Sequence, residues 1–275
     1  MPANRSSLLI YNTVDRLLRG DLFHTVTTAD VIDDLAGFPP DFPLVGIGTT
    51  SWMRRNGEVI AEGTAASSRF LWADPESKPV GQVIDVCWQH PAPGGTVLVT
   101  PRLDDNDEQA NFPFLAVALC NPAQSLHWDI ADASNTHEAV IKELLGANVG
   151  VAGVQIRGAF GRVETTNAYN VPLGGLDLSK GYTGDQFFRF GKYESNEWVM
   201  NGIFAANPSL QPFISVAGHP LHLHGYRVQE RDGGHIVRAE AVQVSVTAYL
   251  LDDLILRIHD VAHAMLPTKA DEENP

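Results

Sequence analysis

Towards the C-terminal end of the chain, Val242, Val244, Val246, Ala248 and Leu250 alternate with Gln243, Ser245, Thr247 and Tyr249. A period of two puts the two sets on opposite faces of a sheet, so this run predicts a half-buried strand. Upstream, Leu221, Leu223 and Tyr226 suit a second extended segment, and Gln229 to Gly234 is turn chemistry. Together they predict a hairpin. The same reading places strands at about 43–50, 57–65, 68–73, 80–89 and 95–101, separated by Gly, Pro, Asn and Asp clusters. Phe112 to Leu119 reads as a buried strand. Val149 to Asn167 reads as a pair of strands or one long bent strand, and further strands fall at about 197–205 and 212–229.

Helical spacing is scarcer. Ser6 or Ser7 can cap a helix running through Arg19, with Leu8, Leu9, Val14, Leu17 and Leu18 on its apolar side. Further helices are expected over Thr28–Leu35, Glu138–Leu145 and Asp252–Leu266, the last with Leu254, Ile255, Ile258 and Val261 inward. Gly37 to Pro43 is a proline-stiffened linker. Asp129 to Thr136 reads as loop. The Asn-, Gly- and Pro-rich stretch from Asn167 to Gly184 reads as a long connection of the kind that covers pockets. The pattern is α+β, with mixed β-sheets and few flanking helices. Residues 1–36 form an N-terminal helical segment in this reading. Residues 37–266 form one domain of two packed halves, about 37–130 and 131–266, and 267–275 are a disordered tail.

With 44% hydrophobic residues among 275, the chain can bury a sizeable core. The formal net charge of −14 argues against a nucleic-acid partner, which needs clustered Lys and Arg to displace counterions from phosphates. No apolar run approaches a membrane span, and the N-terminus lacks the apolar core of a signal peptide, so a cytoplasmic protein without a membrane partner is expected. Cys87 and Cys120 sit in apolar segments and are expected as free buried thiols. The acidic run Asp104 to Glu108 lacks the spacing of a calcium loop and reads as solvated. Leu17 and Leu18 suit either the core or a dimer contact, which leaves room for a homodimer.

The hairpin also carries chemistry. His222 and His224 lie two apart, on one face of their strand, and His235 opens the partner strand. Such a hairpin can bring three imidazoles together, and three neutral histidines with one open position is the pattern of a catalytic zinc site. Another divalent first-row metal suits the same donors. Chance clustering among ten histidines is the plain alternative. A cupin-type site is a second one, but Glu230 falls late for its glutamate and Val237 stands where its glycine belongs. His259 and His263 are spaced for metal on a helix but have no glutamate between them, and read as surface residues.

His222-Leu223-His224, ten intervening residues ending in Gly233-Gly234, then His235-Ile236-Val237 resembles the zinc hairpin of the α-acetolactate decarboxylase family. Two further blocks follow that family's order. Val45 to Thr49 with Asn56 to Ile60 resembles its glutamate-bearing strand pair, and Val154 to Phe160 resembles a strand preceded by a helix. Related proteins of this fold, including a DNA-binding module and a zinc ester hydrolase, carry a similar hairpin, so the hairpin alone does not fix the reaction.

The resemblance implies a zinc-dependent lyase with a small-molecule substrate. It would act on a β-keto or 2-hydroxy keto acid, or a related polyfunctional carbonyl compound, through a metal-stabilised enolate. It places the catalytic carboxylate at Glu58, with Glu62 as a weaker candidate on the same strand face. It also implies a pocket arginine, suited to gripping a substrate carboxylate in two-point fashion. Thr166 stands at that position. Arg162 shares the strand face but lies four residues away, about 13 Å along a strand. The departure points away from acetolactate itself. A zinc-dependent hydrolase or cyclase on the same scaffold, and a non-catalytic metal-binding module, are the alternatives.

Overall fold

The computed structural model describes residues 5–19, 25–50, 56–92, 95–99, 111–169 and 187–257. From the N-terminal side the elements are β1 (Ser7–Tyr11), α1 (Val14–Leu18), β2 (Val26–Thr27), α2 (Thr28–Leu35), β3 (Pro43–Thr50), β4 (Gly57–Thr64), β5 (Ser67–Asp74), β6 (Gln82–Ala92), β7 (Gly95–Val99), β8 (Asn111–Phe112) and β9 (Phe114–Leu119). They continue with β10 (Ser125–Ala133), α3 (Thr136–Gly146), β11 (Val151–Ala168), β12 (Phe188–Ala205), α4 (Gln211–Ile214), β13 (Leu221–Arg227), β14 (Gly233–Leu250) and β15 (Asp253–Arg257).

Two sheets dominate. The first has eight strands in the order β15-β1-β9-β3-β4-β5-β6-β7, antiparallel throughout except for the parallel β1–β15 pair. The second is antiparallel with five strands in the order β10-β14-β11-β12-β13. The start of β14 also pairs with β13, so β11, β12, β13 and β14 close into a ring. The architecture is α+β, mixed sheets with few helices, as the residue pattern predicts.

Alternation of apolar residues arranges these parts in four layers. Val31 and Leu35 of α2 pack with Leu9, Val59, Phe70, Trp72 and Val117 on the outer face of the first sheet. Its inner face meets the second sheet through Ile47, Ala116 and Ala118 against Ile203 and Ala205, and through Ile60 and Leu71 against Val199 and Tyr226. The far side of the second sheet is filled by Val140 and Leu144 of α3, packed among Val154, Ile156, Met200, Leu223 and Val246. The inter-sheet layer is not wholly apolar. Asn201, fully buried, donates from Nδ2 to the Ala61 carbonyl at 2.8 Å and accepts from Gln155 Nε2 at 3.1 Å. That satisfies the amide where it would otherwise cost stability.

Several expectations need correction. The helix expected from Ser6 or Ser7 to Arg19 is mostly strand. Leu8, Leu9 and Ile10 are fully buried because β1 lies between β9 and β15 with both faces covered, and a three-residue apolar run fits that better than a helix stripe. Only Val14–Leu18 is helical, capped by the Thr13 side chain. The closing helix from Asp252 is instead β15 over Asp253–Arg257, with Leu254 and Leu256 exposed and Ile255 packed inward, an alternation of period two. Residues 258–266, with Ile258, His259, Val261 and His263, lie outside the described residues, as do the acidic run 104–108, residues 170–184 and the tail.

The loop expected over 129–136 is strand β10 as far as Ala133, an edge strand whose exposed side hides the apolar alternation. The stretch read as 149–167 is one strand, β11 (Val151–Ala168), bent by irregular register near Ala159 to Arg162, next to Gly158 with a φ of +141°. The expected strand over 212–229 divides into α4 and β13. Cys120 is free and buried, whereas the side chain of Cys87 lies outside the described residues. Among the described residues no helix is long and apolar enough to cross a membrane.

Candidate metal centre

His222, His224 and Tyr226 project from one face of β13 into the inter-sheet layer, as alternate residues of a strand must. The hairpin brings His235 beside them, because His224 and His235 are direct cross-strand partners. Glycines permit this closure. Gly225 pairs with Gly234 next to the histidine pair, and a Cβ on Gly225 would sit 2.7 Å from the Val199 carbonyl oxygen. Gly234 has a φ of +150°, and a Cβ there would meet Asn167 Oδ1 at 2.5 Å. Asn167 Nδ2 donates to the Gly233 carbonyl at 2.9 Å, and buried Asp232 takes the Arg227 guanidinium in two-point fashion at 2.6 and 2.7 Å. The turn before His235 is therefore fixed from both sides.

Candidate ligand atoms of the three histidines all lie within 4.8 Å of one another. His222 Nε2 is 3.0 Å from His224 Nε2 and 3.0 Å from His235 Nδ1. His222 Nδ1 donates to the Ile214 carbonyl at 2.5 Å, and His224 Nδ1 donates to the Val59 carbonyl at 2.9 Å. A carbonyl oxygen only accepts, so in both neutral rings Nδ1 carries the hydrogen and Nε2 presents a bare lone pair. Two bare nitrogens facing each other at 3.0 Å repel, and a cation between them would relieve that repulsion. In a tetrahedron with metal–nitrogen bonds of about 2.0–2.1 Å the nitrogens are about 3.3 Å apart, so this donor set fits a divalent metal. Backbone carbonyls behind two ligand histidines also match the outer-shell support typical of such sites.

Desolvation keeps the rings neutral. It pushes His222 down to about 4, against the contrary effect of the Ile214 carbonyl. His224 and His235 lie well below the usual histidine range, through burial first and then the neighbouring imidazoles. The wall behind His222 is Phe114, whose ring lies parallel to the imidazole with centroids 6.4 Å apart.

Glu58 reaches the triad from the other sheet. Its Oε1 accepts from the Ala168 N–H at 3.0 Å, and its Oε2 lies 3.4 Å from His224 Nε2. Burial pushes its carboxyl up to about 7, and the Ala168 N–H acts the other way. Gly57 precedes it because Trp72 leaves no room for a side chain there, with Nε1 1.9 Å from where a Cβ would stand.

The remaining candidates are placed differently. Glu62 faces the same layer, but its two oxygens accept from Tyr226 Oη at 3.2 Å each and Arg69 lies 3.5 Å away. Thr166 is the direct cross-strand neighbour of His235, which puts it on the site's face. Arg162 is ion-paired with Glu164 and stands opposite Glu194 and Glu240. Neither the Ala168 N–H nor Asn201 was foreseen from the sequence, and a backbone donor leaves no sequence signal at all. His137 was also missed. It sits at the start of α3 with an unpartnered Nδ1, and burial, followed by the nearby His222 imidazole, lowers it to about 4.

A two-sheet α+β protein with a histidine triad between its sheets is thus defined by fold and site together. Its architecture is that of the α-acetolactate decarboxylases. The structure of α-acetolactate decarboxylase from Bacillus subtilis strain 168 superposes with a TM-score of 0.66 at 17% identity, over 93% of this chain and 90% of that one. Acetolactate decarboxylase from Bacillus subtilis subspecies spizizenii gives 0.65 at 17% identity, over 93% and 91%. A Staphylococcus aureus protein of unknown function, described as similar to α-acetolactate decarboxylase, gives 0.63 at 17% identity, over 91% and 88%. At this identity the likeness establishes a shared fold. No protein-family profile matches the sequence, and no curated protein matches it.

Proposed function

We propose that this chain is a metal-dependent carbon–carbon lyase of the decarboxylase type, acting on a β-keto acid or related polyfunctional carbonyl substrate other than acetolactate. The observation that carries the reading is the carboxylate of Glu58, presented by one sheet 3.4 Å from a triad nitrogen presented by the other. A pure metal-binding module has no need of a buried acid at that place, and a buried carboxyl is costly to keep. His222, His224 and His235 would hold the ion. Zinc or another divalent first-row metal would supply Lewis-acid polarisation of a substrate oxygen.

The protein's own groups do the rest. The Ala168 N–H fixes Glu58 Oε1, leaving Oε2 turned towards the triad. In the metal-free site burial pushes the Glu58 carboxyl up to about 7, and a divalent cation on the neighbouring histidines would favour its charged form, so the group is placed to exchange a proton near neutral pH. A group so poised can return a proton to carbon after carbon dioxide leaves and the bonding electrons move towards the ketone oxygen.

The test is product analysis on metal-loaded protein with a panel of β-keto acids and esters. Carbon dioxide release supports the reading. Ester cleavage without carbon dioxide would replace it with a zinc hydrolase on the same scaffold.

A further inference from the structure

Register in the second sheet extends the site sideways. His235 of β14 is paired directly with Thr166 of β11, and Thr166 is paired directly with Phe190 of β12. Direct cross-strand partners project from the same face with Cβ atoms about 5 Å apart, so Phe190 stands about 10 Å from the His235 Cβ. One step along, Ala168, whose N–H contacts Glu58, is paired with Phe188. Phe188 and Phe190 are alternate residues of β12 and share this face. Phe190 is 48% exposed, an unusual position for a phenylalanine beside a polar centre.

The charges on this face begin one row further on. There Arg162 pairs with Glu164, Arg238 pairs with Glu240, and Lys192 stands opposite Glu164. Between that self-neutralised surface and the triad, the described residues of the row offer a hydroxyl and two aromatic rings, while Arg189, between the two phenylalanines, donates to the Phe188 carbonyl and lies over the Tyr169 ring. Among the described residues of this row nothing would compensate the desolvation of a carboxylate or phosphate, whereas an apolar group would cover exposed ring surface.

We propose that Phe190 and Phe188, with Thr166, form the specificity wall of the site, and that the substrate presents an uncharged aliphatic or aromatic group to it. This rests on the metal-centre reading and deepens it by naming the substrate class.

Hydroxamates test it, because they bind metal through one end and display a chosen group at the other. Zinc-loaded protein is titrated calorimetrically with acetohydroxamate and benzohydroxamate. The phenyl compound is expected to bind on the order of tenfold tighter, as burial of the extra apolar surface requires. Phe190→Ala should abolish most of that preference while leaving zinc content and acetohydroxamate affinity unchanged, and Phe190→Leu should keep much of it. Equal affinity for the two hydroxamates, or a preference that survives Phe190→Ala, overturns the wall and leaves the metal centre standing. Protein that takes up no zinc and binds neither compound overturns both.

Discussion

Glu58 and His224 meet across two separate sheets, with Oε2 of the acid 3.4 Å from Nε2 of the imidazole. Val59, next in β4, accepts the hydrogen bond from the other nitrogen of the same ring. One strand of the first sheet therefore both orients a candidate ligand of the second and places a carboxyl beside it. In Glu58→Gln the amide can still accept from Ala168, so fold and metal content should persist. Turnover should fall by about 10²–10⁴-fold, the usual loss for a general acid or base. Carbon dioxide release under saturating substrate checks this, and unchanged turnover would remove Glu58 from the chemistry.

Metal content is the next expected outcome. Purified protein should carry close to one zinc or related ion per chain. His224→Ala should lose most of it, since the remaining bare nitrogens no longer complete a three-donor set. Elemental analysis of the single variant and of the His222→Ala/His224→Ala double variant decides the matter.

Acetolactate should be a poor substrate, because the neighbour of His235 on β11 is Thr166 and the guanidinium of Arg162 is committed to Glu164. Thr166→Arg should raise any trace decarboxylation of acetolactate. Rapid turnover by the unaltered protein would show that another group grips the substrate carboxylate.

The Arg227–Asp232 pair should govern the hairpin. Asp232→Ala removes the two-point partner of a mostly buried guanidinium, at a cost of up to about 3–5 kcal/mol, softened by the remaining Glu230 carboxylate 3.4 Å away and by the small exposed part of Arg227. Metal affinity should fall in the same variant, because the turn that delivers His235 loses its brace. Urea denaturation paired with a zinc titration reads both effects.

Acid should weaken the metal-free protein. His137 and His222 are lowered from 6.5 to about 4 in the fold. Between those values the unfolded chain binds more protons, so stability rises with pH and is lost as pH falls from about 6.5 towards 4. Glu58, raised from 4.5 to about 7, has the opposite sign: its contribution favours the fold at low pH and fades as pH climbs through that range. Four lowered histidines outweigh one raised acid, so the net slope is positive. Unfolding midpoints measured from pH 4 to 7 should show it, with a shallower slope in His137→Asn.

Local chemistry explains which parts were legible beforehand. Thr28–Leu35 was readable because Thr27 and Asp30 form a capping box at its start. The hairpin was readable because period-two alternation flanks a Gly-Gly turn. β1 and β15 were not, since Leu8-Leu9-Ile10 has no polar face to betray a strand and β15 is too short to establish a period. The triad was visible as residue types at a spacing. The Ala168 N–H, the Val59 carbonyl and the row from His235 to Phe190 exist only through pairing register, which a single sequence does not display.

The ring of strands has one further consequence. Its closure consists of three residue pairs, His224 with His235, Gly225 with Gly234 and Tyr226 with Gly233. The first of these contributes two of the three candidate ligands. An ion bound there acts as a clasp: it binds only when the ring is shut, and by mass action it shifts the opening equilibrium by RT ln(1 + [M]/Kd). Amide hydrogen exchange at Gly233, Gly234 and His235 should therefore slow in proportion to free metal, while exchange in β3 and β9 stays indifferent to it.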